Sequence, residues 1–323
     1  MEKSNCADWG ELPKERIRRD RAALHLIGVP MDLGADRRGV DMGPSAVRGA
    51  HFVEHAHELG YDRVVDKGDV FVPAPESRTQ GESNAKYLTE IATACDELRQ
   101  RALGALEAGE TPVIVGGDHA IAAGTVAGVS EFFHKKQQKL GLIWIDAHAD
   151  MNTPDTSPTG NIHGMPLAVA LGLGPDELVQ LGGFCPKVQR ENVVLLGIRN
   201  LDEVEKEIVR RSGVHAYTMR DIDERGMHAI MQEALGFLND GTVGYHVSFD
   251  LDSMDPRYAP GVGTPVPGGL TYREAHLLME MAADDGHAVS FEMTEINPIL
   301  DHKNQTGELA VDLLLSGLGK RIL

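Results

Sequence analysis

Short apolar runs recur along the chain, and longer stretches of helical character separate them. Leu24 to Val29, Thr111 to Val115, Gly141 to Ile145, Val193 to Gly197, Val243 to Phe249 and Ala288 to Ile296 read as strands. The intervening helical stretches include Pro44 to Leu59, Ala85 to Ala108, Leu201 to Arg211, Asp221 to Leu238 and Thr271 to Ala283. This alternation predicts βαβ units in an α/β fold, with helices on both faces of a central, mostly parallel sheet. No linker rich in Pro, Gly or Ser divides the pattern, so one domain is expected over residues 1–323, with a short polar extension at 1–21. The connections Met31 to Gly43, Asn152 to Gly164 and Asp255 to Leu270 are long and rich in Gly, Pro, Asp and Thr. Loops of more than ~12 residues inside a compact domain are usually functional.

Composition narrows the classes. Of 323 residues, 42% are hydrophobic, enough for a sizeable core. No apolar run approaches the ~18 to 20 residues of a membrane-spanning helix, so no membrane partner is expected. Met1 to Arg21 lacks the apolar stretch of a signal peptide. Cys6, Cys95 and Cys185 are odd in number and scattered, which suits reduced thiols in the cytoplasm. A net charge of −18 argues against nucleic acid, because phosphate binding needs basic surface.

Chemistry gathers at three strand ends. Gly116-Gly117-Asp118-His119 follows one strand, Asp146-Ala147-His148-Ala149-Asp150 a second and Asp250-Leu251-Asp252 a third. Ligands of open α/β sheets bind outside the carboxyl ends of the strands, so these segments should converge. Side chains two apart on extended backbone share a face. Asp146, His148 and Asp150 can therefore line one cavity with Asp250, Asp252 and His119. Four carboxylates packed at a partly dry strand end would repel one another without cations. Two divalent cations balance them, and a donor set of oxygen and imidazole without thiolate suits Mn²⁺, then Fe²⁺, Co²⁺, Ni²⁺ or Zn²⁺. Such a pair, ~3.5 to 4 Å apart, can bridge a water, bring its pKa near neutral and deliver hydroxide to an electrophilic carbon. The bland alternative is that the aspartates cap helices and the histidines are satisfied polar groups. It competes residue by residue but not for the ensemble.

Beyond these clusters the chain carries Gly-Val-Asp-Met-Gly-Pro-Ser-Ala-Val-Arg (39–48), Asp-Met-Asn (150–152), Gly-Asn-Ile-His-Gly-Met-Pro (160–166), Ser-Phe-Asp-Leu-Asp-Ser-Met-Asp-Pro (248–256), Gly-Val-Gly-Thr-Pro (261–265) and Glu-Ile-Asn-Pro (295–298). With these motifs the chain resembles the ureohydrolase superfamily, and within it the arginases of bacterial type, from about Leu24 to Leu323. The resemblance implies a three-layer α/β/α fold of the arginase/deacetylase kind and two Mn²⁺ per subunit on the six residues above. It implies a homotrimer or homohexamer. The reaction it implies is L-arginine plus water to L-ornithine and urea, with Asp150 orienting the bridging hydroxide. His163 matches the proton shuttle, and a solvent-accessible His with a pKa near neutral suits that work. Asn152, Thr159 and Asn161 match positions that bind the α-carboxylate, and Asp202 the carboxylate that reads the α-ammonium. Glu295 and Thr264 match positions that orient the guanidinium, and a planar cation wants a carboxylate partner.

Other relatives stay open: an agmatinase, a guanidinobutyrase, a formiminoglutamase or a catalytically silent member. Agmatine has no α-carboxylate to read, so the Gly-Asn-x-His-Gly segment favours arginine. Thr159 departs from a common serine but offers the same hydroxyl. His51-Phe52-Val53-Glu54-His55 fits an H-x-x-E-H peptidase pattern on a predicted helix. With no third ligand in view, it reads as a solvated face. The basic run Lys14 to Arg21 reads as a solvated helix that could touch a neighbouring subunit.

Overall fold

The computed structural model describes residues 23–321. The polar extension 1–21, with Cys6 and the basic run Lys14 to Arg21, lies outside the described residues.

Among the described residues eight strands form a single sheet: β1 Leu24–Val29, β2 Val64–Asp69, β3 Thr111–Gly116, β4 Gly141–Ile145, β5 Val193–Ile198, β6 His215–Thr218, β7 Tyr245–Asp250 and β8 Ala288–Thr294. Their order is β2-β1-β3-β8-β7-β4-β5-β6, and every pairing between them is parallel. Parallel strands need crossover connections, and helices supply them, so both faces of the sheet are covered. On one face Leu24, Leu26, Val113, Val115, Ile143, Ile145, Val247 and Phe249 pack with the helices Gly43–Gly49, Phe52–Glu58, Met227–Asn239, Tyr272–Asp285 and Gln305–Gly317. On the other, Ile27, Val29 and Ile114 meet the helix Leu88–Glu107, while Leu142, Trp144, Val193 and Leu195 meet Ala122–His134. Alternate residues of each strand feed opposite cores, which makes three layers, α/β/α.

The expected strands are present with small shifts: the run at Val243 starts at Tyr245 and extends to Asp250, and the last ends at Thr294. The runs missed were β2 and β6, the two edges of the sheet. Two expected helices are broken. Pro44 to Leu59 splits because His51 takes φ 59, and Asp221 to Leu238 splits at Gly226, φ 79. The helices Ala122–His134 and Gln305–Gly317 are buried on most of their surface, so no amphipathic period marks them. Of the two cysteines described, Cys95 is buried and Cys185 exposed, both free.

The order of the strands decides where function can sit. β3, β8, β7 and β4 are the four central strands, and their carboxyl ends carry His119, Glu295, Asp250 and Asp146 in turn.

Candidate metal centre

Tight backbone packing under β3 sets the first donor. A Cβ on Gly117 would lie 1.7 Å from the Met31 carbonyl oxygen, so only glycine allows the turn. Asp118 then accepts from Ala120 N (3.0 Å) and Gly34 N (2.8 Å), starting the short turn His119–Ile121. His119 is thereby aimed over the sheet, stacked on Trp144 with ring centroids 4.0 Å apart. Past β4, Asp146 keeps the strand pairing through its N–H to Leu196 O (3.0 Å), and its Oδ1 accepts from His148 N (2.8 Å). At β7 the same local motif recurs, with Asp250 Oδ1 accepting from Asp252 N at 2.7 Å.

Three carboxylate oxygens, from Asp146, Asp150 and Asp250, each lie 3.1 Å from the single nitrogen His119 Nδ1. The other oxygen of Asp146 faces His148 Nδ1 at 3.4 Å, and Asp252 Oδ2 approaches that nitrogen at 3.0 Å. His119, Asp146 and Asp250 form one group of converging donors and Asp146, His148 and Asp252 another, with the donor atoms of each within 4.8 Å of one another. Asp146 thus belongs to both. All these residues are buried except His148, which is partly open.

Electrostatics is severe here. Burial alone would raise Asp146, but the imidazoles on either side pull it well below the usual carboxylate range. Burial and the Asp252 and Asp146 charges push Asp250 well up, and burial with Asp146 takes Asp150 to about 7. Burial also raises Asp252 despite His148. Desolvation works against protonating the two histidines, yet the carboxylates win: His148 is pushed up to about 12 and His119 well above its ordinary value.

Asp150 and Glu295 both hold left-handed backbone, φ 51 and 63. Such conformations cost on the order of 1 to 3 kcal/mol and persist where the surroundings over-determine them. Glu295 Oε1 accepts from His119 N and faces His163 Nδ1, both at 3.1 Å, while its buried Oε2 has no hydrogen-bond partner among the described residues. Burial would lower His163, but Glu295, with Asp118 and Asp150 behind it, pushes it up to about 9, above the near-neutral value expected. The Thr264 hydroxyl donates to Asp252 Oδ2 at 2.8 Å, so it engages an acid of the centre.

Around the mouth, Asn152 Nδ2 donates to Asp202 Oδ2 (2.9 Å), whose Oδ1 caps the helix Glu203–Ser212. Asn161 Oδ1 accepts from Lys86 Nζ (2.8 Å), which also reaches Asp36 (2.9 Å). Thr159 is exposed on the same loop and its hydroxyl accepts from Asn161 N (3.2 Å). Gly160, φ 73, lets this loop touch its neighbour: Lys86 N donates to Gly160 O (3.0 Å), and a Cβ there would lie 2.0 Å from Ser83 O.

Comparison with known proteins decides the family. The Arginase family model matches residues 22–319. The chain is 49% identical over 300 residues to an arginase of Bacillus subtilis, covering 93% of this chain and 99% of the relative. The chain belongs to the arginase family. A solved arginase-family structure from Bacillus caldovelox, 48% identical, superposes with a TM-score of 0.89 over 94% of this chain and 100% of the other. An Entamoeba histolytica arginase solved with L-ornithine, 31% identical, gives 0.85 over 92% and 99%.

As an arginase-family hydrolase the chain implies a binuclear site for divalent metal, and its residues fit one. One imidazole proton cannot satisfy three carboxylates, whereas two dications balance four. Oxygen and imidazole donors without thiolate suit borderline and hard divalent ions. The H-x-x-E-H segment is elsewhere: His51 and Glu54 are exposed 3.7 Å apart, and His55 pairs with Glu58 on the surface. Sequence reasoning passed over Lys86, Trp144 and Glu205, whose buried carboxylate accepts from Met151 N (3.1 Å). Only Trp144 left a trace, two residues before Asp146 on the same strand face; its Nε1 donates to Asp146 Oδ2 at 3.0 Å.

Proposed function

We propose that this chain hydrolyses the guanidinium group of L-arginine, releasing L-ornithine and urea, at a pair of divalent cations, Mn²⁺ first and Co²⁺ or Ni²⁺ as substitutes. The observation that carries the reading is the convergence of three carboxylate oxygens on His119 Nδ1, with Asp146 shared by a second group, in a chain of this family. His119, Asp146, Asp150 and Asp250 would hold one cation, and Asp146, His148 and Asp252 the other. When bound, such a pair lowers the pKa of water so that it attacks carbon at neutral pH.

The rest falls to the side chains. Asp150 accepts a hydrogen bond from the attacking water and so orients it. Glu295 offers the guanidinium its free Oε2, a charge-assisted contact in a dry setting. Thr264 fixes Asp252, and acts on the guanidinium by holding that carboxylate in place. A C–O bond forms at the guanidinium carbon, the C–N bond to the side-chain nitrogen breaks, and the departing amine takes a proton. His163, 22% exposed and held protonated beside Glu295, relays that proton from bulk water. Asn152, Thr159 and Asn161 read the α-carboxylate and Asp202 the α-ammonium. The same reading carries a homotrimeric or homohexameric assembly and a cytoplasmic location. No helix among the described residues is long and apolar enough to cross a membrane.

The test is urea release from L-arginine, agmatine and guanidinobutyrate after activation with Mn²⁺. Strong preference for L-arginine supports the assignment. Preference for a substrate lacking the α-carboxylate overturns the specificity and keeps the chemistry, and silence with no metal bound overturns both.

A further inference from the structure

A polar seam crosses the middle of the sheet, where a parallel sheet is ordinarily apolar. β7 reads Tyr245-His246-Val247-Ser248-Phe249-Asp250, so every second side chain is polar, and β8 answers with Ser290, Glu292 and Thr294. The register sets His246 beside Ser290, Ser248 beside Glu292 and Asp250 beside Thr294. His246, Ser248, Ser290, Glu292 and Thr294 are wholly buried.

Glu292 is the anomaly. No Lys or Arg reaches it among the described residues. Its Oε1 accepts from Ser248 Oγ at 2.9 Å, its Oε2 accepts from the hydroxyl of Thr125 on the helix Ala122–His134, and His246 Nε2 stands 3.9 Å away, too far for a hydrogen bond. Burying a carboxylate on two hydroxyls is costly, and an apolar residue would serve the sheet better. The other end of the seam gives a reason. Ser248 Oγ also lies 2.9 Å from His119 Nε2. A hydroxyl has one proton, and here it goes to Glu292, so the Ser248 oxygen must accept from His119 Nε2–H. The proton of neutral His119 is thereby held on Nε2, and the lone pair of Nδ1 is turned to the three converging carboxylates.

We propose that Glu292 is a positioning residue of the metal centre: acting through Ser248, it fixes the tautomer and raises the basicity of His119, and so tunes the affinity of the cation group that His119 serves. This rests on the reading of His119 as a metal donor. Partners of this kind, one shell behind the donor, typically change metal affinity 10- to 100-fold when removed.

The experiment is calorimetric titration of metal-free protein with Mn²⁺, with metal content after dialysis, for wild type, Glu292→Gln, Ser248→Ala and the double variant. Glu292→Gln is expected to weaken one of two Mn²⁺ sites at least tenfold and leave the other within about threefold, with the melting point of the metal-free protein unchanged. Ser248→Ala, which keeps the carboxylate and cuts the relay, should weaken the same site, and Glu292→Gln should add nothing in its background. Unchanged titration in Glu292→Gln overturns the proposal. So does equal weakening of both sites, or effects that multiply in the double variant. If Glu292→Gln does not fold, Ser248→Ala decides by the same titration. A wild type that binds no Mn²⁺ overturns the metal-centre reading itself and the relay with it, an outcome separate from failure of the variants.

Discussion

The chain buries charge in two contrasting ways. Arg199, half-buried at the end of β5, donates to the carbonyl oxygens of Gly197, Asp252, Ser253, Met254 and Val266, at 2.7 to 3.3 Å. Lys187 is similar: its buried Nζ donates to the Val179, Leu181 and Phe184 carbonyls, and burial lowers it to about 8. Each cation is answered by backbone and asks for nothing from outside. The acids at the ends of β4 and β7 are answered mainly by one another, with one histidine nitrogen serving three of them. A buried charge with complete internal partners holds the fold, whereas like charges gathered at one point are built for a ligand of opposite sign.

The largest expected effect comes from breaking the acid group. Asp150→Ala or Asp250→Ala should abolish urea release and deplete bound metal. Two retained cations with full turnover, measured by metal analysis and a urea assay, would remove these residues from the centre. Next, His163→Ala should keep its metal and lose about 10²- to 10⁴-fold in kcat. An unchanged rate would end the shuttle role. Arg199→Met should instead spare the metal and cost stability: about 1 to 3 kcal/mol in urea melts, through carbonyls stripped of their donor. If Arg199→Met melts like wild type, the division between fold-holding and ligand-holding charge fails. Asn152→Ala with Asn161→Ala should raise KM for L-arginine about tenfold or more with kcat nearly kept, the loss of binding made equally in ground and transition states. Steady-state kinetics with agmatine as the control checks it. The smallest effect belongs to His55→Ala on the solvated helix, within about 0.5 kcal/mol and with no change in metal content.

Much of this contrast is legible in the sequence, for physical reasons that also explain what is not. β4 is an unbroken apolar run, because both faces of a parallel sheet are buried, and Asp146 follows it directly; β1 is apolar but for His25, which pairs with Glu110. β2, Val-Val-Asp-Lys-Gly-Asp, is an edge strand open to water, so it carries no such run and was missed; β6 is short and at the other edge. Glycines stand at both helix breaks, Gly49 just before His51 and Gly226 itself, but the apolar pattern runs on past each of them. At the centre Asp146, His148, Asp250 and Asp252 do meet, but on tight turns in place of the extended backbone expected: each strand-end aspartate accepts from the N–H two residues on, Asp252 lies in the short turn Leu251–Ser253, and Asp150 takes φ 51. Lys86 escaped because its side-chain partners, Asp36 and Asn161, are distant in sequence; Arg199 and Glu205 escaped because theirs are distant and on the backbone, carbonyls for one and the Met151 N–H for the other, which leave no residue signature.

The contact at Gly160 bears on how the mouth behaves. Two loops far apart in sequence, around Ser83 to Lys86 and Ser157 to His163, meet so closely there that no methyl group fits between them. They are one jaw, pinned again where Lys86 meets Asn161. If Asn161 reads the substrate as proposed, a small amino acid arriving here would meet a preformed shape and order little on binding, so that fit and charge, in place of loop closure, would select it.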